Sequence, residues 1–93
     1  MTLYRHALGY AIRTERLRQN LTMRDVSSRA PMALGYLSEV ELGKKDISSE
    51  LLESLANSLG LSLGTLIERV AVVLIDTEQQ EELRIAKEMI LTP

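Results

Sequence analysis

From Asn20 to Gly43 the chain is punctuated so closely that it has room for only two short helices joined by a tight turn. The segment "QNLT" breaks the helix before it, and Thr22 with Asp25 three residues on is a capping-box pattern that opens "MRDVSSRA". Pro31 must end that helix, because its ring disfavours helical backbone in the residue before it. A second helix runs from Leu34 to Leu42 and is stopped by Gly43, with Lys44 and Lys45 just beyond its negative dipole end. Two short helices and a turn within residues 22–43 have the length of a DNA-binding helix-turn-helix, whose second helix lies in the major groove.

That reading requires apolar residues where the two helices pack, and a different set pointing away. Val26, Ala30, Met32, Leu37 and Val40 satisfy the first condition. Leu34, Gly35, Ser38, Glu39 and Leu42 share the opposite side of the second helix and form the candidate reading face. Gly35 costs a helix about 1 kcal/mol relative to alanine, a loss that makes sense on a face where backbone must approach DNA closely.

The remaining pattern is helical as well. Arg5 to Gln19 carries Leu8, Ala11, Ile12 and Leu17 on an approximate stripe. Ser48 or Ser49 caps "ELLESLANSL", a broad apolar face stopped by Gly60. Ser62 caps a fifth helix through "VAVVLI", the one place where a strand is an alternative, and Thr77 with Gln80 is expected to open a sixth through about Leu91.

Composition closes off other chemistries. Among 93 residues there is no cysteine, and the lone His6 has no companions at metal-ligand spacing, so neither zinc nor any cofactor is expected. Glu53 and Glu68 are too isolated to act as paired carboxylates, and "SSE" is a helix cap without a histidine to activate a serine, so the chain is expected not to be an enzyme. The longest apolar run, Val70 to Ile75, is about a third of the ~20 residues that span a bilayer. With no signal-peptide pattern at the amino terminus, a cytoplasmic, nucleoid-associated protein without a membrane partner is expected. The net charge of -2 hides an asymmetry: residues 1–47 hold eight Lys or Arg against five Asp or Glu, residues 48–93 three against eight. A positive end and an acidic far end suit a module that docks on DNA by one side.

At this level of detail "LTMRDVSSRA", "GYLSEVELGKK" and "LLESLANSLGLSLGTL" resemble the Cro and phage-repressor (XRE-like) class of helix-turn-helix transcription regulators, over roughly residues 8–67. "LGYLSEVE" followed by "SSELL" is similar, more specifically, to the actinobacterial clp gene regulators, which activate protease genes. The resemblance implies phosphate contacts at Met23 and Arg24, base contacts at Leu34, Gly35, Ser38 and Glu39, and approach to the DNA backbone by Tyr36 and Lys45; by charge, Arg24, Lys44 and Lys45 are expected to supply the sequence-independent attraction to phosphate. It also implies a structural ion pair between Arg16 and Glu41. Chemically, Ser38 can bond either kind of base edge, Glu39 can accept from a cytosine amino group and Leu34 can touch a thymine methyl. Three positions depart from the class: Met23 stands for a usual glutamine, Pro31 for a frequent glycine in the turn, and Ala33 for a capping Ser or Thr.

The expected fold is all-α, a five-helix repressor-like helix-turn-helix domain with an additional C-terminal dimerisation helix. Residues 1–67 form the DNA-binding domain and 68–93 the dimerisation segment. Leu66, Ile67, Val70 and Leu74 can face the domain core, whereas Val72, Val73 and Ile75 lack an obvious place in a monomer. The dimer interface is assigned to Val70, Val73, Leu74, Leu83, Ala86, Met89 and Ile90, placing two reading helices about 34 Å apart on a palindromic site. The partners are then double-stranded DNA and a second copy, with RNA polymerase a candidate for the acidic half. The rival reading is an antitoxin that uses the same scaffold to bind a partner protein.

Overall fold

A computed structural model describes residues 4–91 of the chain. Its elements are α1 (Tyr4–Arg18), α2 (Met23–Arg29), α3 (Leu34–Glu41), α4 (Ser49–Ser58) and α5 (Leu63–Leu91). The all-α expectation holds, and the strand alternative at Val70 to Ile75 is replaced by helix.

Three of the helices, α2, α4 and α5, start where a side chain satisfies orphaned amides. Thr22 and Asp25 form both bonds of the capping box on α2, at 3.1 and 2.8 Å. Ser48 Oγ accepts from the Leu51 amide at 3.2 Å, and Ser62 Oγ accepts from that of Thr65 at 3.1 Å. Ahead of Pro31, Ala30 adopts the extended backbone that proline imposes (φ -98°, ψ 112°) while its N–H still closes on the Val26 carbonyl. The turn between α2 and α3 thus needs no left-handed residue, which explains how proline takes the place of glycine. Ala33 leaves α3 without a side-chain cap, as its chemistry dictates.

Leu8 and Ile12 of α1, Val26 of α2, Leu37 and Val40 of α3, Leu52 and Leu55 of α4 and Leu66 of α5 meet in one core. Leu17, expected on the α1 stripe, is half exposed; its place at the buried end of the helix is taken by Glu15 and Arg16. Ile67 likewise faces outward, where a core position was expected.

The larger correction concerns the tail. No break separates a fifth from a sixth helix: α5 runs 29 residues without interruption, about 43 Å at 1.5 Å per residue. Thr77 does not cap a new helix; its hydroxyl donates to the Val73 carbonyl one turn back at 2.8 Å, and Gln80 Nε2 donates to Asp76 Oδ2 at 3.1 Å. The first half of α5 packs on α1, where Val70, expected between two copies, is only 1% exposed within its own chain. Its second half projects from the body and gives the molecule an extent of 56 × 25 × 23 Å. Among the described residues no single helix is long and apolar enough to cross a membrane.

Candidate nucleic-acid interface

The outward surface of α2 and α3 is built by two different kinds of constraint. On the inner side, Arg16 of α1 reaches α3 and grips Glu41 with both prongs, Nε to Oε2 at 2.7 Å and Nη2 to Oε1 at 3.0 Å. Its remaining donor Nη1 bonds the Leu21 carbonyl at 2.9 Å, so the guanidinium ties together α1, the loop before α2 and the end of α3. The bonds to Glu41 hold Arg16 charged beyond its ordinary range, against the burial that opposes charge. Both side chains are buried, and neither is available to DNA.

At the far end of α3, Gly43 adopts φ +74°. The Gly43 N–H donates to the Val40 carbonyl at 3.1 Å and the Lys44 N–H to the Glu39 carbonyl at 2.9 Å, the paired closure of a Schellman motif. A side chain at Gly43 would also collide with the His6 ring, since a Cβ there would lie 2.1 Å from its Cδ2 atom. Arg5 Nε donates to the Gly43 carbonyl at 2.9 Å, so α1 closes over the end of α3. The sequence offered no signal for these two contacts beyond the presence of a glycine.

On the outer side, Thr22, Met23, Arg24, Leu34, Gly35 and Ser38 line one open groove. The structure therefore brings together the start of α2 and the first turn of α3, the residues assigned to phosphate and to bases. Arg24 and Leu34 are exposed, Met23 is partly packed on the core, and a Cβ on Gly35 would meet nothing within 4 Å. Among the described residues no neighbour demands a glycine at 35. Glu39 is next along this face and lies 3.8 Å from Lys45 Nζ. Lys44 is exposed beside it. Tyr36 is placed differently from a free phosphate ligand: half-buried against the core, it donates its hydroxyl proton to the Asp46 carbonyl at 2.7 Å.

A second charged cluster lies behind this face. Glu15, buried on α1, accepts from Arg18 at 2.5 and 3.0 Å, from Gln19 at 2.7 Å and from Arg69 of α5. Arg18 above all, then Gln19 and Arg69, lowers the carboxyl pKa to about 2 despite its burial. Gln19 Nε2 also donates to the Leu59 carbonyl at 2.7 Å, so the cluster joins α1, the end of α4 and α5. Among the described residues no group of His, Cys, Asp and Glu could hold a metal ion.

The expected interface residues on the tail divide. Val73 and Leu74 are half-buried on the body. Leu83, Ala86, Met89 and Ile90 project into solvent, Met89 74% and Ile90 80% exposed.

Comparison with known proteins yields four findings. A helix-turn-helix family model matches residues 12–66. The transcriptional regulator ClgR of Mycobacterium tuberculosis (strain CDC 1551 / Oshkosh) is 42% identical over 78 residues, which make up 84% of this chain and 63% of that protein; the chain thus spans less than two thirds of that relative's length. The crystal structure of the clp gene regulator ClgR from Corynebacterium glutamicum superposes with a TM-score of 0.89 at 36% identity, over 97% of this chain and 96% of that one. The wild-type restriction-modification controller protein C.Esp1396I shares the fold, with a TM-score of 0.75 at 17% identity over 82% and 99% of the two chains.

Proposed function

The chain belongs to the helix-turn-helix family of XRE-type regulators, and on that premise we propose that it is a transcription regulator of the clp gene type that binds a palindromic operator as a homodimer. The observation that carries this reading is the groove in which the start of α2 and the outward side of α3 converge. Leu34, Gly35, Ser38 and Glu39 are the base-reading set, entering the major groove along α3. Arg24 and Lys44, both exposed, supply the sequence-independent attraction to phosphate, while Met23 adds packing but no hydrogen bond.

We assign residues 1–67 to DNA binding and 68–93 to dimerisation, with Val70 of the second segment packed into the core of the first. The apolar side chains of Leu83, Ala86, Met89 and Ile90 support the second assignment, because a projecting helix that exposes them gains by burying them against another copy. Similarity to the clp gene regulators favours activation of protease genes, with exposed Glu78 and Glu82 offering RNA polymerase an acidic surface in the cytoplasm. No enzymatic activity is proposed.

Footprinting of genomic fragments with the full chain tests the reading. A protected site with two-fold symmetry is the expected result. Equal protection of all fragments, or of none, overturns it.

A further inference from the structure

Glu39 poses a problem for a DNA-facing helix, because a carboxylate approaching a polyanion is repelled before it can accept a hydrogen bond from any base. The structure sets a cation beside it, and does so with three separate restraints on the segment that carries that cation. The Schellman closure bends residues 43 and 44 back over the last turn of α3, with the Lys44 N–H on the carbonyl of Glu39 itself. Arg5 Nε holds the Gly43 carbonyl at 2.9 Å, on one side of Lys45. Tyr36 Oη holds the Asp46 carbonyl at 2.7 Å, on the other. Between these anchors the Lys45 ammonium lies 3.8 Å from Glu39 Oε2, with the two side chains 55% and 46% exposed.

In water a pair this exposed contributes little. Once DNA covers the face and expels water, the same charges interact in a lower dielectric, and the lysine offsets the repulsion that the carboxylate meets. We infer that Lys45 is a positioning residue for base readout: it neutralises and orients Glu39, and Tyr36 maintains it there by anchoring the loop at Asp46. Lys45 then acts through Glu39 and not as one more phosphate ligand. The inference rests on the proposed reading face and adds to it a residue outside α3 that governs specificity.

The two roles differ in what they leave on a binding isotherm. A phosphate contact releases counterions, so its loss lowers the salt slope by about one and weakens all sequences alike. A lysine paired with Glu39 approaches DNA as half of a neutral pair, so its loss is felt through the carboxylate it leaves bare and is cancelled when that carboxylate is removed as well. The experiment titrates the wild-type chain, Lys45→Met, Lys45→Arg, Glu39→Gln, the Lys45→Met/Glu39→Gln double variant and Tyr36→Phe against a labelled duplex carrying the footprinted site and each of its single-base-pair variants. Glu39→Gln is expected to lose roughly tenfold discrimination at one base pair. Lys45→Met should lose roughly three- to tenfold at that same pair, and the double variant, neutral like the wild-type pair, should keep the wild-type salt slope and lose no more discrimination than Glu39→Gln alone. Lys45→Arg should retain the preference, and Tyr36→Phe should lose part of it. A salt slope lower by about one with discrimination intact in Lys45→Met overturns the role of Lys45 while leaving the reading face standing. Unchanged base preference in Glu39→Gln overturns both.

Discussion

Gly9 and the carbonyl of Glu41 meet so closely that a Cβ on the glycine would lie 2.3 Å from the carbonyl oxygen, and 2.6 Å from that of Val40. The distance between α1 and the end of α3 is therefore set by the lack of a side chain at one position. Gly9→Ala must push the two helices apart and is expected to destabilise the fold by about 1–3 kcal/mol, the usual cost of overpacking. Gly35→Ala is its mirror: with open space around it, the added methyl should stabilise the fold by up to about 1 kcal/mol through helix propensity. On the proposed reading it weakens DNA binding all the same. Urea unfolding of both variants, with a binding titration of the second, checks the pair.

The clamp between Arg16 and Glu41 predicts a larger loss. Arg16→Ala leaves a buried carboxylate without its bidentate partner and the Leu21 carbonyl without its donor, at a cost of about 3–5 kcal/mol. Thermal denaturation measures it, and a drop under about 1 kcal/mol would mean that the site rehydrates freely.

Glu15 makes stability depend on acid. Its carboxyl lies near 4.5 in the unfolded chain and is lowered to about 2 in the fold. A depressed carboxyl contributes stability that is present above pH 4.5 and lost as pH falls toward 2, and the difference corresponds to about 3 kcal/mol. Glu15→Gln should therefore unfold more readily at neutral pH and show a flatter stability profile between those values. Chemical denaturation at successive pH values would reveal it.

Much of this architecture is legible before any coordinates. The caps at Thr22, Ser48 and Ser62 and the stops at Pro31 and Gly43 announce themselves because each solves a local backbone problem with a residue type suited to it. Gly9 is illegible for the converse reason: inside a helix it solves no local problem, and its cause lies 32 residues away at Glu41. The same holds for Arg69, whose partner Glu15 is 54 residues distant. Thr77 misleads because its hydroxyl serves equally as a cap or as a donor to the preceding turn, and nothing between Ile75 and Gln80 breaks helical backbone. Within the proposed reading face, residue types suggested Ser38 and Glu39, whereas the proximity of Lys45 to Glu39 depends on the loop fold.

Two substitutions separate base reading from general attraction. Ser38→Ala should relax preference at a single base pair, by a factor corresponding to about 1–3 kcal/mol, with the salt dependence retained. Arg24→Ala should weaken binding to every sequence and lower the salt slope by about one. Fluorescence titration at several salt concentrations distinguishes them.

The projecting half of α5 supplies the test of self-association. Leu83→Glu combined with Ile90→Glu leaves the body untouched, since neither residue packs on it, and should weaken the dimer tenfold or more, given that each large apolar side chain buried is worth about 1.5–3 kcal/mol. Truncation before Val70 would not serve, because that residue belongs to the core. Sedimentation equilibrium across a concentration series gives the answer; undiminished association would move the interface elsewhere.

An unbroken α5 has one consequence for how such a protein can diverge. A helix without a joint keeps phase: each residue inserted beyond Thr77 turns everything after it by about 100° and advances it about 1.5 Å. A single insertion would swing the apolar edge around Leu83 and Ile90 away from its present azimuth, whereas seven would return it almost to the starting angle about 10 Å further out. In the proposed dimer, the length of that helix, counted in whole heptads, is a ruler by which a lineage could reset the distance between two copies of α3 without altering either one.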